Sequence, residues 1–180
     1  CMVESLGLSL PGNAAIPAAD SRRKVLAQMS GIRIVEMVKE NLRLSDVLTR
    51  EAFENAIITN AAIGGSTNFI IHLLAIAGRN GVQLDISDFD KLSANVPFIA
   101  NLQPSGKYFM EDLYYAGGLP AVRKEIDHFL RGKCITVNGK TIQENYSTAE
   151  CYNREIIATA EKPFNPLSGV AILKGNLCES

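Results

Sequence analysis

The sequence predicts an α/β protein that is helix-rich up to about residue 132 and strand-rich after it. Three observations carry that prediction. Apolar residues recur at helical spacing through much of 1–131, as in Val25, Leu26 and Met29 and again in Phe53, Ala56 and Ile57. At Gly132 the pattern changes to the short runs Cys134–Val137 and Lys140–Ile142 around Asn138-Gly139, a dipeptide favoured in two-residue hairpin turns of type I′. The 180 residues are 47% hydrophobic, enough for the core of one domain, or of one domain and part of another.

In chain order, Met2, Val3, Leu6 and Leu8 read as the last turns of a helix that Leu10-Pro11-Gly12-Asn13 ends. After a small-residue connection, Asp20 or Ser21 can cap a helix whose buried stripe is Val25, Leu26 and Met29. Gly31 interrupts it, and Ile32, Ile34, Val35 and Val38 resume a buried pattern to about Asn41. Arg22, Arg23 and Lys24 fall in its first turn, where the helix dipole disfavours cations; they face either solvent or an anion or partner. Thr49 starts a helix with Phe53, Ala56 and Ile57 inward. The run from Ser66 to about Gly78 is apolar nearly all round, so it is expected to be the most buried helix, with His72 a satisfied core histidine and Asn80-Gly81 its C-cap. A short helix over Asp85–Leu92 with Ser87 as cap follows, then a buried strand at Pro97–Asn101. Next come a polar turn at Pro104–Tyr108 and a helix from about Phe109 that Ala116-Gly117-Gly118 stops. A last helix, with Pro120 at its first position, runs to Arg131. Beyond 132 the hairpin is followed by a strand or helical turn at Ile156–Ala160 and a buried strand at Val170–Lys174.

The bulk numbers exclude several classes of function. With 18 basic and 19 acidic residues and a net charge of −1, the chain has no basic stripe to neutralise phosphates, so neither nucleic acid nor a membrane surface is a partner. The longest apolar run, Phe69–Ala77, is too short to span a bilayer, and no signal peptide is visible. Cys1, Cys134, Cys151 and Cys178 are scattered, with neither zinc nor redox spacing, which fits a reducing, cytoplasmic setting. Both ends read as internal to a longer protein, since Cys1 enters an amphipathic pattern directly and Ser180 stops just after an apparent strand.

The stretch that carries most chemical information is Ala61-Ala62-Ile63-Gly64-Gly65-Ser66-Thr67-Asn68. Two glycines free the backbone, three small polar side chains follow, and a helix starts at once. A helix N-terminus presents unpaired N–H groups and the positive end of the dipole, a setting suited to a small anion. On local chemistry alone an ordinary capped helix start is the stronger of the two readings.

Several uncommon strings occur together: Glu4-Ser5-Leu6-Gly7-Leu8-Ser9-Leu10-Pro11-Gly12, Gly64–Asn68 with His72-Leu73, Pro104-Ser105-Gly106-Lys107-Tyr108, Met110-Glu111-Asp112, Gly117–Val122, Thr136–Thr141 and Gly175-Asn176-Leu177. In this order they make the chain resemble the dihydroxy-acid dehydratase and 6-phosphogluconate dehydratase family over nearly its whole length. Asn13–Ala18 followed by Asp20-Ser21-Arg22-Arg23 is similar to the sugar-acid branch, such as arabinonate and xylonate dehydratases. Cys178-Glu179 departs from the Ala-Pro usual after Gly-Asn-Leu in the family.

The resemblance implies that residues 1–132 are the helix-rich C-terminal part of a three-layer α/β domain, and that 133–180 begin a β-barrel-like domain. It implies loss of water from a 2,3-dihydroxy acid to give a 2-keto-3-deoxy acid, assisted by an iron–sulfur cluster (2Fe–2S or 4Fe–4S) and Mg²⁺, in a homodimer or dimer of dimers. It places the cluster cysteines and the Mg²⁺-binding lysine before Cys1 and the catalytic serine after Ser180. This piece then holds no catalytic and no metal-binding residue, and none of Cys1, Cys134, Cys151 and Cys178 takes a ligand's role. The candidates left for binding a small polyhydroxy acid are Ser66, Thr67 and Asn68, with Lys107 secondary. The alternatives are the branched-chain dihydroxy-acid dehydratase and, in a different class, a catalytically silent structural or assembly fragment.

Overall fold

The computed structural model describes residues 1–173, 175 and 176. Its helices are α1 (Met2–Ser5), α2 (Ser21–Glu40), α3 (Leu44–Val47), α4 (Arg50–Ile63), α5 (Asn68–Arg79), α6 (Ile86–Ser93), α7 (Met110–Tyr115), α8 (Gly118–Glu125) and α9 (Ile142–Tyr146). The fold is helix-rich, and β-structure among the described residues is confined to isolated bridges.

The centre of the fold is α4. Thr49 caps it by accepting the Ala52 N–H, and eleven of its fourteen residues are buried. Two cores meet on it. Phe53, Ala56 and Ile57 pack with Leu6 of the α1 turn, Ile70, Leu73 and Ala77 of α5, and Phe89 of α6. Ile58, Ala61, Ala62 and Ile63 pack with Ile99, Leu113, Leu119, Val122 and Ile126 and, past position 132, with Ile142, Tyr146, Ile156 and Ile157. Burying an aliphatic or aromatic side chain of this kind contributes about 1.5–3 kcal/mol. The polar centre of α4 is satisfied: fully buried Asn55 accepts the Arg131 N–H at 2.7 Å and donates to the Arg131 carbonyl at 3.1 Å and the Cys134 thiol at 3.4 Å.

Several expectations are corrected. α5 is not the most buried helix: only Ile70, Leu73 and Ala77 are buried, Ile71 is 69% exposed, and His72 lies on the open face rather than in a core. Its apolar run is amphipathic once faces are assigned, since α4 covers only one side. α2 runs unbroken through Gly31 with Asp20 as its cap, but Val25, Met29, Ile32, Ile34, Val35 and Val38 are exposed and only Met37 is buried, against Val47 and Val137. Arg22 pairs with Asp20 and lies 4.8 Å from the Tyr114 ring, which accounts for a cation in that first turn. The cap of α6 is Asp85, in a capping box with Asp88, not Ser87. Pro120 is the third residue of α8, a position that needs no intrahelical N–H, and the helix ends at Glu125 before a 3₁₀ turn at Asp127–Phe129.

The strand-rich reading after 132 is corrected most. The hairpin is one bridge, Ile135 to Thr141. Asn138 keeps negative φ while its side chain accepts the Lys140 N–H, and only Gly139 is left-handed, at φ 80°, so the turn is not type I′. Thr141 then caps α9 reciprocally with Glu144 instead of continuing a strand. Val170–Leu173 form no strand, and Leu173 is 83% exposed; Lys174 lies outside the described residues. Pro97–Asn101 is extended and buried as expected, but its partners are single residues: Ile99 donates to Ala62 O and accepts from Ala158 N, and Phe98 and Ala100 bridge Asn165 and Ile157.

Candidate functional site

α4 ends in the Gly64-Gly65 turn, and each glycine there has its own reason. Gly64 is the left-handed C-cap, at φ 62°, and a Cβ on it would lie 2.6 Å from the Phe98 ring. Gly65 has no unusual φ, but a Cβ on it would lie 2.0 Å from the Asn60 amide oxygen. A side chain at Gly64 would be strained by its left-handed backbone, and one at Gly65 would have to displace the Asn60 amide, so the chain crosses from α4 to α5 in a tight, bare-backbone corner.

That corner forms one wall of a cleft of about 730 Å³. Gly64, Gly65, Ser66 and Thr67 line it together with the turn Gln103-Pro104-Ser105, as do Cys1, Met2 and Ser5 of the α1 region and Asn60, Ile63 and Phe69. The Gln103–Pro104 peptide is cis. Gly106 sets how closely this second turn folds back, because a Cβ there would lie 2.5 Å from the Asn101 backbone carbon. Two turns separated by some forty residues in sequence thus converge on one space.

The four binding candidates are placed differently. Ser66 and Thr67 are exposed and line the cleft. The Ser66 hydroxyl accepts the Asn68 N–H at 3.2 Å, a capping bond, whereas the Thr67 side chain makes no capping bond. The Phe69 and Ile70 N–H groups are taken by Ser66 O and Thr67 O, but those of Ser66 and Thr67 have no acceptor among the described residues. Asn68 is exposed as the first residue of α5 and does not line the cleft. Lys107 is exposed outside the lining; its backbone N–H donates to Asn101, and its ammonium lies 5.3 Å from the Tyr108 ring. Tyr108 donates to Glu155 at 2.7 Å, which raises its phenol pKa. Sequence reasoning did not single out Ser5, Gln103, Ser105 or Gly169 as lining residues. The Pro104–Tyr108 string signalled the second turn, but no local pattern marks Gly169.

The α1 wall has a buried electrostatic base. Glu4 is 3% exposed and accepts the N–H groups of Gly12 and Ala14 at 3.0 and 2.8 Å, fixing the loop that follows. Arg123 of α8 is equally buried; burial lowers its pKa against the opposing charge of Glu4, and its Nε and Nη2 have no hydrogen-bond partner among the described residues.

No three His, Cys, Asp or Glu side chains converge on a metal position among the described residues. Cys1 is at the cleft, Cys134 on Asn55 and Cys151 beside the Ile157 carbonyl, while Cys178 lies outside the described residues. The donor set described does not fit a cluster or a Mg²⁺ ion by itself. Nor is any helix among the described residues long and apolar enough to cross a membrane.

Comparison with known proteins adds to this geometry. Residues 1–145 match the family described as dihydroxy-acid/6-phosphogluconate dehydratase N-terminal. The chain is 52% identical over 176 residues to an L-arabinonate dehydratase of Rhizobium leguminosarum bv. trifolii, covering 97% of this chain and 30% of that protein. It is 54% identical over 180 residues to an L-arabonate dehydratase of Azospirillum brasilense, covering 98% and 31%. To a dihydroxy-acid dehydratase of Ignicoccus hospitalis it is 46% identical over 176 residues, covering 97% and 32%. The chain therefore spans about a third of the length of the curated relatives it matches.

Proposed function

The chain belongs to the dihydroxy-acid/6-phosphogluconate dehydratase family, and on that premise we propose that it is part of a hydro-lyase acting on a sugar acid. The reaction removes water from a 2,3-dihydroxy acid and yields a 2-keto-3-deoxy acid. The observation that carries the substrate class is the higher identity to the two arabinonate dehydratases, 52% and 54%, than to the dihydroxy-acid dehydratase, 46%. The cleft suits a polyhydroxy carboxylate: beside its glycine corner it is lined by the hydroxyl residues Ser66, Thr67 and Ser105, and the Ser66 and Thr67 N–H groups have no acceptor among the described residues. In this reading Ser66 and Thr67 bind and orient the acid, and Asn68 and Lys107 act only at the rim.

The reaction calls for positive charge where hydroxide departs and where the C2 proton is lost, since hydroxide is a poor leaving group and that proton is weakly acidic. We assign that charge to an iron–sulfur cluster, 2Fe–2S or 4Fe–4S, and to Mg²⁺, with ligands on parts of the enzyme outside this chain. The reading extends to a cytoplasmic homodimer or dimer of dimers, with a three-layer α/β domain over 1–132 continuing into a β-barrel-like domain from 133. Turnover of L-arabinonate, xylonate, gluconate and 2,3-dihydroxyisovalerate by the full-length enzyme tests it. Preference for a sugar acid is expected; preference for dihydroxyisovalerate would assign the branched-chain substrate, and inactivity on all four would overturn the enzymatic reading.

A further inference from the structure

We propose that Gly169 is a positioning residue that, with Phe98, sets the Gly64–Thr67 corner of the cleft through a contact with no room for a side chain. The inference rests on the reading that this cleft takes the sugar acid. The Gly169 N–H donates to the Ala61 carbonyl in the last turn of α4, at 3.1 Å. That bond brings the two backbones so close that a Cβ on Gly169 would lie 2.5 Å from the Gly64 Cα and 3.1 Å from its nitrogen. These are backbone atoms at the start of the corner and cannot swing aside as the end of a flexible side chain can.

The Phe98 ring closes the contact. It lies 3.0 Å from the Gly169 Cβ position and 2.6 Å from that of Gly64, so it sits against both glycines. Phe98 is itself tied to the segment that carries Gly169: its N–H donates to Asn165 O at 2.9 Å, and its carbonyl accepts from Phe164 N at 3.0 Å. The end of α4, the extended Phe98 segment and residues 164–169 therefore form one clamp. Three parts of the chain far apart in sequence fix where Ser66 and Thr67 present their N–H groups.

Gly169 is not among the positive-φ residues, so alanine can adopt its backbone conformation and only the contact opposes it. Adding one methyl group must push Gly64 or the 168–170 segment away. A donor moved out of the roughly 2.7–3.2 Å range, or tilted below about 120°, loses most of its hydrogen bond to a ligand. Gly31, with open space around its Cβ position and no special φ, is the matched control for losing a glycine.

The test compares G169A, G31A and wild type in the full-length enzyme by L-arabinonate kinetics and by backbone amide chemical shifts. G169A is expected to raise KM about fivefold or more, the loss of roughly one hydrogen bond, with kcat nearly unchanged. Its shift changes should centre on residues 64–68. G31A should change neither. Unchanged KM and unchanged 64–68 shifts in folded G169A would overturn the proposal. If G169A does not fold, F98L alone decides by the same two readouts, because it loosens the clamp without adding an atom. A wild type inactive on every sugar acid would remove the functional reading, and the amide shifts would then decide the clamp by themselves.

Discussion

Thr67 and Ser66 stand next to each other on the cleft wall, yet the structure assigns them different costs. The Thr67 side chain makes no capping bond, and its residue is exposed, so Thr67→Val removes only a hydroxyl available to a ligand. Its effect on stability should be within about 0.5 kcal/mol, the range of ordinary surface substitutions. If the hydroxyl binds substrate, losing one neutral hydrogen bond of about 0.5–1.5 kcal/mol raises KM roughly two- to twelvefold. Ser66→Ala also removes the acceptor of the Asn68 N–H, a 3.2 Å exposed bond. That should cost about 0.5–1 kcal/mol of stability, at the lower end of cap substitutions, or roughly 1 °C or less in the Tm of a chain about three times this length. Steady-state kinetics on L-arabinonate beside thermal unfolding separates the two contributions in the full-length enzyme. A Thr67→Val enzyme with unchanged KM and a Tm lowered by several degrees would show that the corner is scaffold and refute the binding role.

Asn55→Ala should be the most damaging polar substitution in α4. It strands the Arg131 N–H and carbonyl and leaves a hole in a fully buried site, for a loss of about 2–4 kcal/mol, read by denaturant unfolding. Asp20 is held down to about 2 by the Arg22 guanidinium and backbone N–H. Because this folded pKa lies below the usual carboxylate value, its contribution to the α2 cap is present above about pH 4 and lost as pH falls toward 2. An NMR titration of the Asp20 carboxyl checks this, and a midpoint near 4 would contradict it. The exposed Val25, Met29, Ile32, Ile34, Val35 and Val38 of α2 form an apolar surface of the kind that drives association when uncovered. The 180-residue chain by itself should therefore bind a hydrophobic dye and self-associate, and Ile32→Lys with Val38→Lys should reduce both. A monodisperse wild-type monomer in solution would contradict that expectation.

What the sequence made legible was local. Thr49 as a cap, Phe53, Ala56 and Ile57 as an inward stripe and Gly64 as a helix end follow from residue types at short spacing, and the structure has them so. The capping box at Thr141 and Glu144 was equally available, a Thr three residues before a Glu. The Asn138-Gly139 dipeptide beside it pointed to a hairpin instead, and the side-chain bond of Asn138 to Lys140 decided the turn. Half of the site was legible in the same way: each of the two turns could be read from its own glycine and its polar neighbours. Their convergence could not, because it depends on the Phe98 segment passing between α4 and residues 156–165. Gly169 had no local signature at all, since the atoms that forbid a side chain there belong to residues 64 and 98.

Periodicity misled most on the two helices whose apolar residues are not confined to one stripe. A hydrophobic pattern reports that a face is to be covered, but not by which part of a protein. In α4 the covering elements are α1, α5, α6 and α8, so the pattern and the burial agree. In α2 one side meets Val47 and Val137, and the remaining apolar side chains stand open in this chain, which spans about a third of the relatives' length. The cleft has the same character on a smaller scale. Its Gly64–Thr67 side is bare backbone and hydroxyls, and no three His, Cys, Asp or Glu side chains converge among the described residues. Phe98 and Gly169 pack against the Gly64–Thr67 corner and, in the function proposed above, that corner is one side of a site whose reactive groups stand elsewhere in the enzyme.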